Sequence, residues 1–73
     1  MLFGEAMTHI GLGRRLTRTG WNGPNQYIYK AEIEGYAPFI AMKTTSGTIQ
    51  AGWLATQGDF FAEDWEVVDE RTA

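Results

Sequence analysis

Tyr27-Ile28-Tyr29-Lys30-Ala31-Glu32-Ile33 is the stretch that decides the fold, because its side chains follow a period of two. In a strand, the odd-numbered residues of this stretch fall on one face and the even-numbered residues fall on the other. Tyrosine and isoleucine are also residue types that favour strands. The pattern therefore predicts a strand over 27–33, and the other elements are predicted outward from it.

Four more strands are predicted from short apolar or alternating runs, at residues 15–18, 39–44, 48–54 and 65–68. Thr45-Ser46-Gly47 is a turn sequence typical of a hairpin. Glu34-Gly35-Tyr36-Ala37-Pro38 is a connection, and residues 55–58 form a loop. Residues 69–73 are expected to be a frayed tail.

A helix is predicted over residues 3–12, where apolar side chains recur at helical spacing and two glycines follow. One further helical turn is predicted over 60–64, with Asp59 as its cap. Because the first helix is too short to be stable alone, it must pack on the sheet. We therefore expect a single α+β domain over 1–73, with one N-terminal helix on a small antiparallel sheet of about five strands.

Composition limits what so small a domain can do. A chain of 73 residues has a thin core, and without cysteine it has neither a disulfide nor a thiolate metal site. His9 is the single histidine, which excludes a multi-histidine metal site. No cofactor or metal is therefore expected. Self-association is expected to supply burial, and the aromatic fraction of 14% suits an interface.

The charge distribution bears on the partners. A net charge of −3 argues against sequence-independent binding of duplex nucleic acid. Arg14, Arg15 and Arg18 nevertheless cluster early, and such a local basic patch can meet a small anionic ligand. No apolar run reaches the length of a membrane span and the opening residues do not resemble a signal peptide, so a cytoplasmic location is expected.

Catalytic patterns are weak throughout the sequence. His9 has no serine, cysteine or acid placed to form a triad, and it is expected on the solvent side of the helix. Glu63 and Asp64 are neighbours that point apart, and they are expected to form a solvated acidic face or a cap. Residues 11–15 lack the third glycine of a phosphate-binding loop. An enzyme is therefore not expected.

Two stretches favour binding instead. Trp21-Asn22-Gly23-Pro24 places an indole ring and a side-chain amide at a turn, which suits a planar, hydrogen-bonding ligand such as a base. The stretch 53–59 repeats this logic, since Thr56 and Gln57 can donate and accept, and Asp59 can accept from ribose hydroxyls or base amines. Arg18 can neutralise a phosphate.

The alternative interpretation treats the same residues as structural. A tryptophan in a small domain is most often a core anchor, Asn-Gly is an ordinary turn, and Asp59 can cap a helix. Taken singly, each residue is better explained in this way, and Trp65 is predicted to belong to the core.

A resemblance to a known family extends over nearly the whole chain. Its matching pieces are Phe3-Gly4-Glu5-Ala6, Arg18 with Trp21-Asn22-Gly23, Met42-Lys43-Thr44 through Gly47-Thr48-Ile49, Gly52-Trp53 through Thr56-Gln57 and Asp59, and Ala62-Glu63-Asp64-Trp65-Glu66-Val67. In order and spacing they resemble the small phage-encoded family that includes the Thoeris anti-defence sponge proteins of the second type. The segment 32–38 is shorter than in longer members.

The resemblance implies a non-enzymatic sponge in the cytoplasm of an infected bacterial cell. Such proteins bind cyclic nucleotide immune signals, notably glycocyclic ADP-ribose isomers and in some relatives cyclic dinucleotides, and sequester them without cleavage. They are homotetramers with pockets shared between protomers. The ligand-binding residues that the resemblance implies here are Arg18, Trp21, Asn22, Gly23, Trp53, Ala55, Thr56, Gln57 and Asp59, with Trp21 stacking and Asn22 hydrogen bonding.

Two other functions stay open at the level of sequence. A protein-binding or structural phage module would use the aromatic surface and the acidic C-terminal third. A nucleotide hydrolase would turn its ligand over, whereas a sponge would release it intact.

Overall fold

The computed structural model describes residues 1–21, 23 and 25–68. Two helices and five strands are present in that part of the chain: α1 (Phe3–Gly11), β1 (Leu16–Arg18), β2 (Tyr27–Ala31), β3 (Phe39–Lys43), β4 (Ile49–Ala51), α2 (Gln57–Phe61) and β5 (Trp65–Val67). The predicted α+β class, with an N-terminal helix on a five-stranded antiparallel sheet, is confirmed. The predicted tail over 69–73 lies outside the described residues.

The strand predicted from the alternating stretch is the central strand of the sheet. The strand order is β4-β3-β2-β1-β5, and each neighbouring pair is antiparallel. The longest pairing joins β2 to β3, from Tyr27 opposite Lys43 to Ala31 opposite Phe39. β5 pairs with β1, so that Trp65 lies opposite Arg18. This last pairing places the end of the described chain beside the first strand.

The core lies between α1 and one face of the sheet. Ala6 and Ile10 of α1 are buried against Leu16, Ile28 and Trp65. Leu16 lies opposite both Ile28 and Val67 in the ladder, and strand alternation sends these side chains to the helix side. We call this the helix face. Residues that alternate with them form the opposite side, the open face: Thr17, Tyr27, Tyr29, Lys43, Ile49 and Glu66.

β4 is shorter than predicted, and the reason is a glycine. The prediction of a strand over 48–54 is wrong because Gly52 has a φ of +83° and interrupts the ladder after Ala51. The N–H of Trp53 nevertheless donates to the carbonyl of Ile40 at 2.7 Å. One extra residue is thereby inserted, as in a β-bulge, and the alternation of faces is reversed. Trp53 consequently packs on the helix face, away from the side of Ile49.

The second helix also begins earlier than predicted. α2 starts at Gln57, not at residue 60, and its N-cap is Thr56, whose Oγ1 accepts from the N–H of Asp59 at 3.2 Å. Asp59 is the third residue of the helix, and its carboxylate accepts from the N–H of Thr56 at 2.8 Å. The prediction that Asp59 is the cap is therefore wrong. The missed signal is the Thr-x-x-acid spacing of a capping box.

Smaller differences occur at other element ends. β2 stops at Ala31, two residues before the predicted end. Glu32 and Ile33 are exposed, and the chain turns after them, with the N–H of Tyr36 donating to the carbonyl of Ile33. β1 begins at Leu16 and α1 ends at Gly11, each one residue from the prediction. β3 and β5 each end one residue early as well, at Lys43 and Val67.

A candidate binding site around three tryptophans

Three tryptophan side chains meet on the helix face. Trp65 is 1% exposed, and Trp21 and Trp53 are half-buried against it. The ring centroids lie 5.3 Å apart for Trp21–Trp65, 6.1 Å for Trp53–Trp65 and 6.3 Å for Trp21–Trp53, all edge to face. This is the geometry that aromatic quadrupoles favour. The prediction that Trp65 is core is confirmed, whereas the other two rings are both packed and partly open to solvent.

The sheet brings the three rings together. Trp21 follows β1 after a turn in which its N–H donates to the carbonyl of Arg18 at 3.2 Å. Trp53 reaches the helix face through the glycine bulge after β4. Trp65 opens β5 directly opposite Arg18. The two stretches that the sequence singled out are thus neighbours within one chain.

Asp59 is the centre of a hydrogen-bond network under the rings. Its carboxylate accepts from Arg18 Nη1 at 2.8 Å, from Trp21 Nε1 at 3.2 Å and from the backbone and hydroxyl of Thr56. Its backbone carbonyl accepts from Trp65 Nε1 at 3.1 Å. With 5% exposure and this many donors, Asp59 positions Trp21 and Arg18. Its direct contact with a ligand stays a prediction.

Arg18 is held between two carboxylates. Its Nε donates to Asp64 Oδ1 at 2.8 Å in addition to the bond from Nη1 to Asp59. Asp64 Oδ2 also accepts from the N–H of Gly20 at 2.7 Å and from the hydroxyl of Thr19 at 3.3 Å. The expectation that Asp64 belongs to a solvated acidic face or a cap is therefore wrong. No local pattern identifies this pair, because 46 residues separate its partners.

The ion pairs shift the titration of all three groups. Hydrogen bonds to Asp64 and then to Asp59 raise the pKa of Arg18, so it is cationic at any physiological pH. Burial by itself raises the pKa of Asp59, but the bonds from Thr56, Arg18 and Trp21 together outweigh it and hold that pKa below its ordinary value. The hydrogen bond from Arg18 is the main reason that the pKa of Asp64 is lowered.

Stability is expected to fall in acid, because both carboxyl pKa values are lower in the folded chain than the ordinary value of 3.8. The unfolded chain then takes up protons first, so the stability contribution is complete above about pH 5 and is lost progressively below about pH 4. The midpoint of urea unfolding, measured from about pH 6 down to about pH 2.5, checks this. Asp64→Asn should make the decline shallower, and a midpoint that stays constant in acid would contradict the prediction.

The structure gathers most of the predicted site residues. Arg18, Trp21, Trp53, Thr56 and Asp59 are joined by the contacts above, with half-buried Ala55 and exposed Gln57 in the same segment. Gly23 is exposed with a φ of +87°, and a side chain at this position would collide with Thr45, which lies between β3 and β4. Asn22 lies outside the described residues.

The predicted basic patch is dispersed. Strand alternation places Arg15 on the open face and Arg18 on the helix face. Arg14 contacts His9, with 2.7 Å between Nη1 and Nδ1, and His9, which was expected on the solvent side of α1, is half-buried. In the described part of the chain, no three histidine, aspartate or glutamate side chains form a group that could hold a metal. No helix there has the length and apolarity to cross a membrane.

Fold and site together define a small α+β domain with a tryptophan cluster held by an arginine–aspartate network. Residues 1–68 match the family model of the Thoeris anti-defense 2-like domain. The chain is also 31% identical over 85 residues to Thoeris anti-defense 2 of Bacillus phage SP01, an alignment that covers 93% of this chain and 94% of that protein. The chain therefore belongs to the Thoeris anti-defense 2-like family, as the sequence resemblance indicated, and this membership supports a role in phage anti-defence.

Proposed function

We propose that this protein is a non-enzymatic anti-defence sponge, which binds a cyclic nucleotide immune signal of the glycocyclic ADP-ribose type and holds it without cleavage. Its place of action is the cytoplasm of the infected bacterial cell. The observation that carries the proposal is the meeting of Trp21 and Trp53, from distant stretches, in one cluster with partly exposed rings. Membership of the Thoeris anti-defense 2-like family supports the same function.

The tryptophan rings suit the base of such a ligand. Base–aromatic stacking contributes roughly 1–3 kcal/mol per base. Two contacts hold the side chain of Trp21 in place: its ring packs edge to face against Trp65, and its Nε1 donates to Asp59. A ring held in this way loses little conformational freedom on binding. The network below the rings thus contributes to affinity by positioning the stacking surface.

Polar contacts to the ligand are assigned to the segment after Trp53. Gln57 is exposed at the first position of α2, where its amide is free to both donate and accept. In this proposal, Asn22 and Gly23 line the binding site beyond Trp21, and Ala55 completes its lining. Arg18, Thr56 and Asp59 act mainly by positioning the residues that line the site, because their polar atoms hydrogen-bond to one another.

A homotetramer with pockets shared between protomers is part of the proposal. Large apolar side chains flank the site segment, with Leu54 88% and Phe61 79% exposed. Exposed apolar groups that adjoin a binding segment are typical of an interface. A second protomer that covers Leu54 and Phe61 would also close the ligand site. Sedimentation equilibrium of the purified protein measures the oligomeric state.

Trp21→Ala is expected to weaken binding of a glycocyclic ADP-ribose isomer about tenfold, because a stacking ring is lost. Trp21→Phe keeps an aromatic ring and should lose less. Gln57→Ala should weaken binding as well, whereas Gln50→Ala, on exposed β4, serves as a matched control without effect. Isothermal titration calorimetry gives the dissociation constants, and a thermal melt of each variant separates binding from folding.

Heating the complex and recovering the ligand tests the absence of cleavage. An intact ligand in the released fraction agrees with a sponge, and a hydrolysed one identifies an enzyme. Unchanged affinity in folded Trp21→Ala would contradict the stacking role. Absence of any heat with the cyclic nucleotide would contradict the proposed ligand class.

The exposed side chains of Leu54, Phe60 and Phe61 favour one alternative, a module that binds a host or phage protein. Under this alternative, a pull-down recovers a stoichiometric protein partner and calorimetry shows no nucleotide binding. Replacing Phe61 with serine would then release the partner, while Trp21→Ala in folded form would not.

A further inference from the structure

The loop between β1 and β2 carries Trp21, and two glycines of this loop approach other segments closely. On the β1 side, the N–H of Gly20 donates to Asp64 Oδ2 at 2.7 Å, and a Cβ at this position would lie 2.8 Å from the same oxygen. On the β2 side, a Cβ at Gly23 would lie 2.5 Å from Thr45 Oγ1. Side-chain carbons essentially never come so close to another atom. Trp21 thus lies between two points at which its loop touches another part of the domain.

The close neighbour on the β2 side belongs to the β3–β4 turn, residues 44–48, which is held by its own hydrogen bonds. The N–H and the hydroxyl of Thr44 both donate to the carbonyl of Thr48, at 2.9 Å and 3.2 Å. The hydroxyl of Ser46 lies 3.0 Å from that of Thr44 and 3.3 Å from that of Thr48. Thr45 is β-branched, so rotation about its χ1 is restricted. The turn therefore offers the loop an ordered surface.

The loop and the turn meet because of the strand register. Tyr27 lies opposite Lys43 at one end of the β2–β3 pairing, so the chain before β2 and the chain after β3 leave the sheet side by side. The loop also bonds to itself, since Gln26 Nε2 donates to the carbonyl of Gly23 at 3.4 Å. With a φ of +87°, Gly23 has a backbone conformation that favours glycine. Glycine at this position thus satisfies two requirements, the positive φ and the close approach to the turn.

We propose that Gly23 and Thr45 are a positioning pair, which determines where the loop presents Trp21 to a ligand. The inference rests on the proposed function, because it names what keeps the stacking ring of that site in place. Trp65 and Asp59 hold the ring itself, and the contact with the turn holds the part of the loop that follows it. A loop that is held before binding loses less conformational freedom when the ligand arrives. The β3–β4 turn, which supplies none of the predicted site residues, is thereby assigned to the site.

Gly23→Ala tests the pair, and Gly13→Ala is its matched control. Both glycines have a φ of +87°, so both substitutions strain the backbone, but no other described part of the chain lies within 4 Å of a Cβ at Gly13. Gly23→Ala should move the indole N–H signal of Trp21 in a nitrogen-15 NMR spectrum of the ligand-free protein, and weaken binding of a glycocyclic ADP-ribose isomer about tenfold. Gly13→Ala should lower the urea midpoint and leave signal and affinity unchanged. The signal is identified by its loss in Trp21→Phe.

A second substitution separates positioning from backbone strain alone. Thr45→Ala removes Oγ1 and leaves a Cβ that would lie 3.5 Å from the one added at Gly23, an ordinary contact. Gly23→Ala combined with Thr45→Ala should therefore restore the Trp21 signal and most of the affinity. Thr45→Ala alone tests the pair even where Gly23→Ala does not fold. It should weaken binding about threefold, whereas Thr48→Ala in the same turn should not.

The proposal is overturned if Gly23→Ala leaves the Trp21 signal in place, or if Gly13→Ala moves it as far. It is also overturned if Thr45→Ala fails to reverse the effect of Gly23→Ala, or if Thr45→Ala and Thr48→Ala have equal effects. The Trp21 signal is read from the ligand-free protein. If the unmodified protein binds no cyclic nucleotide, the proposed function is wrong, while the signal still decides whether Gly23 and Thr45 position Trp21.

Discussion

Replacing Trp65 with alanine is expected to unfold the protein at room temperature. Trp65 is the largest of the fully buried side chains, and it contacts Phe3, Trp21 and Trp53. Truncating a buried aromatic residue to alanine costs about 3–5 kcal/mol. A core in a chain of this length rarely supplies more than about 3–5 kcal/mol of net stability. The expected loss in the free energy of unfolding is therefore as large as the net stability of the domain.

Far-UV circular dichroism and urea unfolding measure this effect. Leu12→Ala is the control, because Leu12 is 65% exposed and its truncation should leave the unfolding midpoint close to that of the unmodified chain. Trp65→Phe should fall between the two, since it retains a ring but removes the Nε1 donor to Asp59. A cooperative transition of Trp65→Ala at the unmodified midpoint would refute the central role of this ring.

Asp59→Ala is expected to have the second-largest effect, a loss of about 2–4 kcal/mol in the free energy of unfolding. The substitution leaves Arg18 with a single carboxylate and Trp21 Nε1 without its acceptor. It also breaks the capping box at Thr56, so the start of α2 is weakened. Ligand affinity should fall together with stability, because Trp21 is then no longer held.

Urea unfolding and tryptophan fluorescence check the two parts of this expectation. Asp64→Ala should cost less than Asp59→Ala, because Asp64 is half-exposed and anchors no tryptophan. Removing Arg18 and Asp59 together should cost less than the sum of the single losses, because loss of Arg18 alone leaves the buried Asp59 without its cation and the double variant avoids that penalty. If Asp59→Ala were no more harmful than Asp64→Ala, the central place of Asp59 in the network would be wrong.

Local patterns predicted the elements well and their ends less well. The period of two over 27–33 predicted the central strand, and helical spacing predicted α1, because both signals depend on a few neighbouring residues. The end of β4 was not predicted, because it depends on the positive φ of Gly52. That conformation moves Trp53 to the other face of the sheet, where the ring packs in the core. The start of α2 was missed although Thr56 and Asp59 carried a local signal for it.

For the site, the sequence singled out both tryptophan stretches but could not assign their partners. Trp21 and Trp53 were predicted to act together, and their rings are 6.3 Å apart. The pairing of Arg18 with Asp64 was not predicted, because it depends on the register of β1 against β5. The contact of Arg15 and Lys43 with the ring of Tyr27 on the open face was not predicted either, since these three residues come from separate segments.

By itself, the sequence determined the α+β class, the central strand, the N-terminal helix and the family. These features arise from side-chain periodicity, turn residues and spacing, which act over short distances along the chain. Only the tertiary structure decided which face is buried and that Asp59 lies under Trp21. Such relations depend on strand register and packing between residues some forty positions apart, where local preference has no influence.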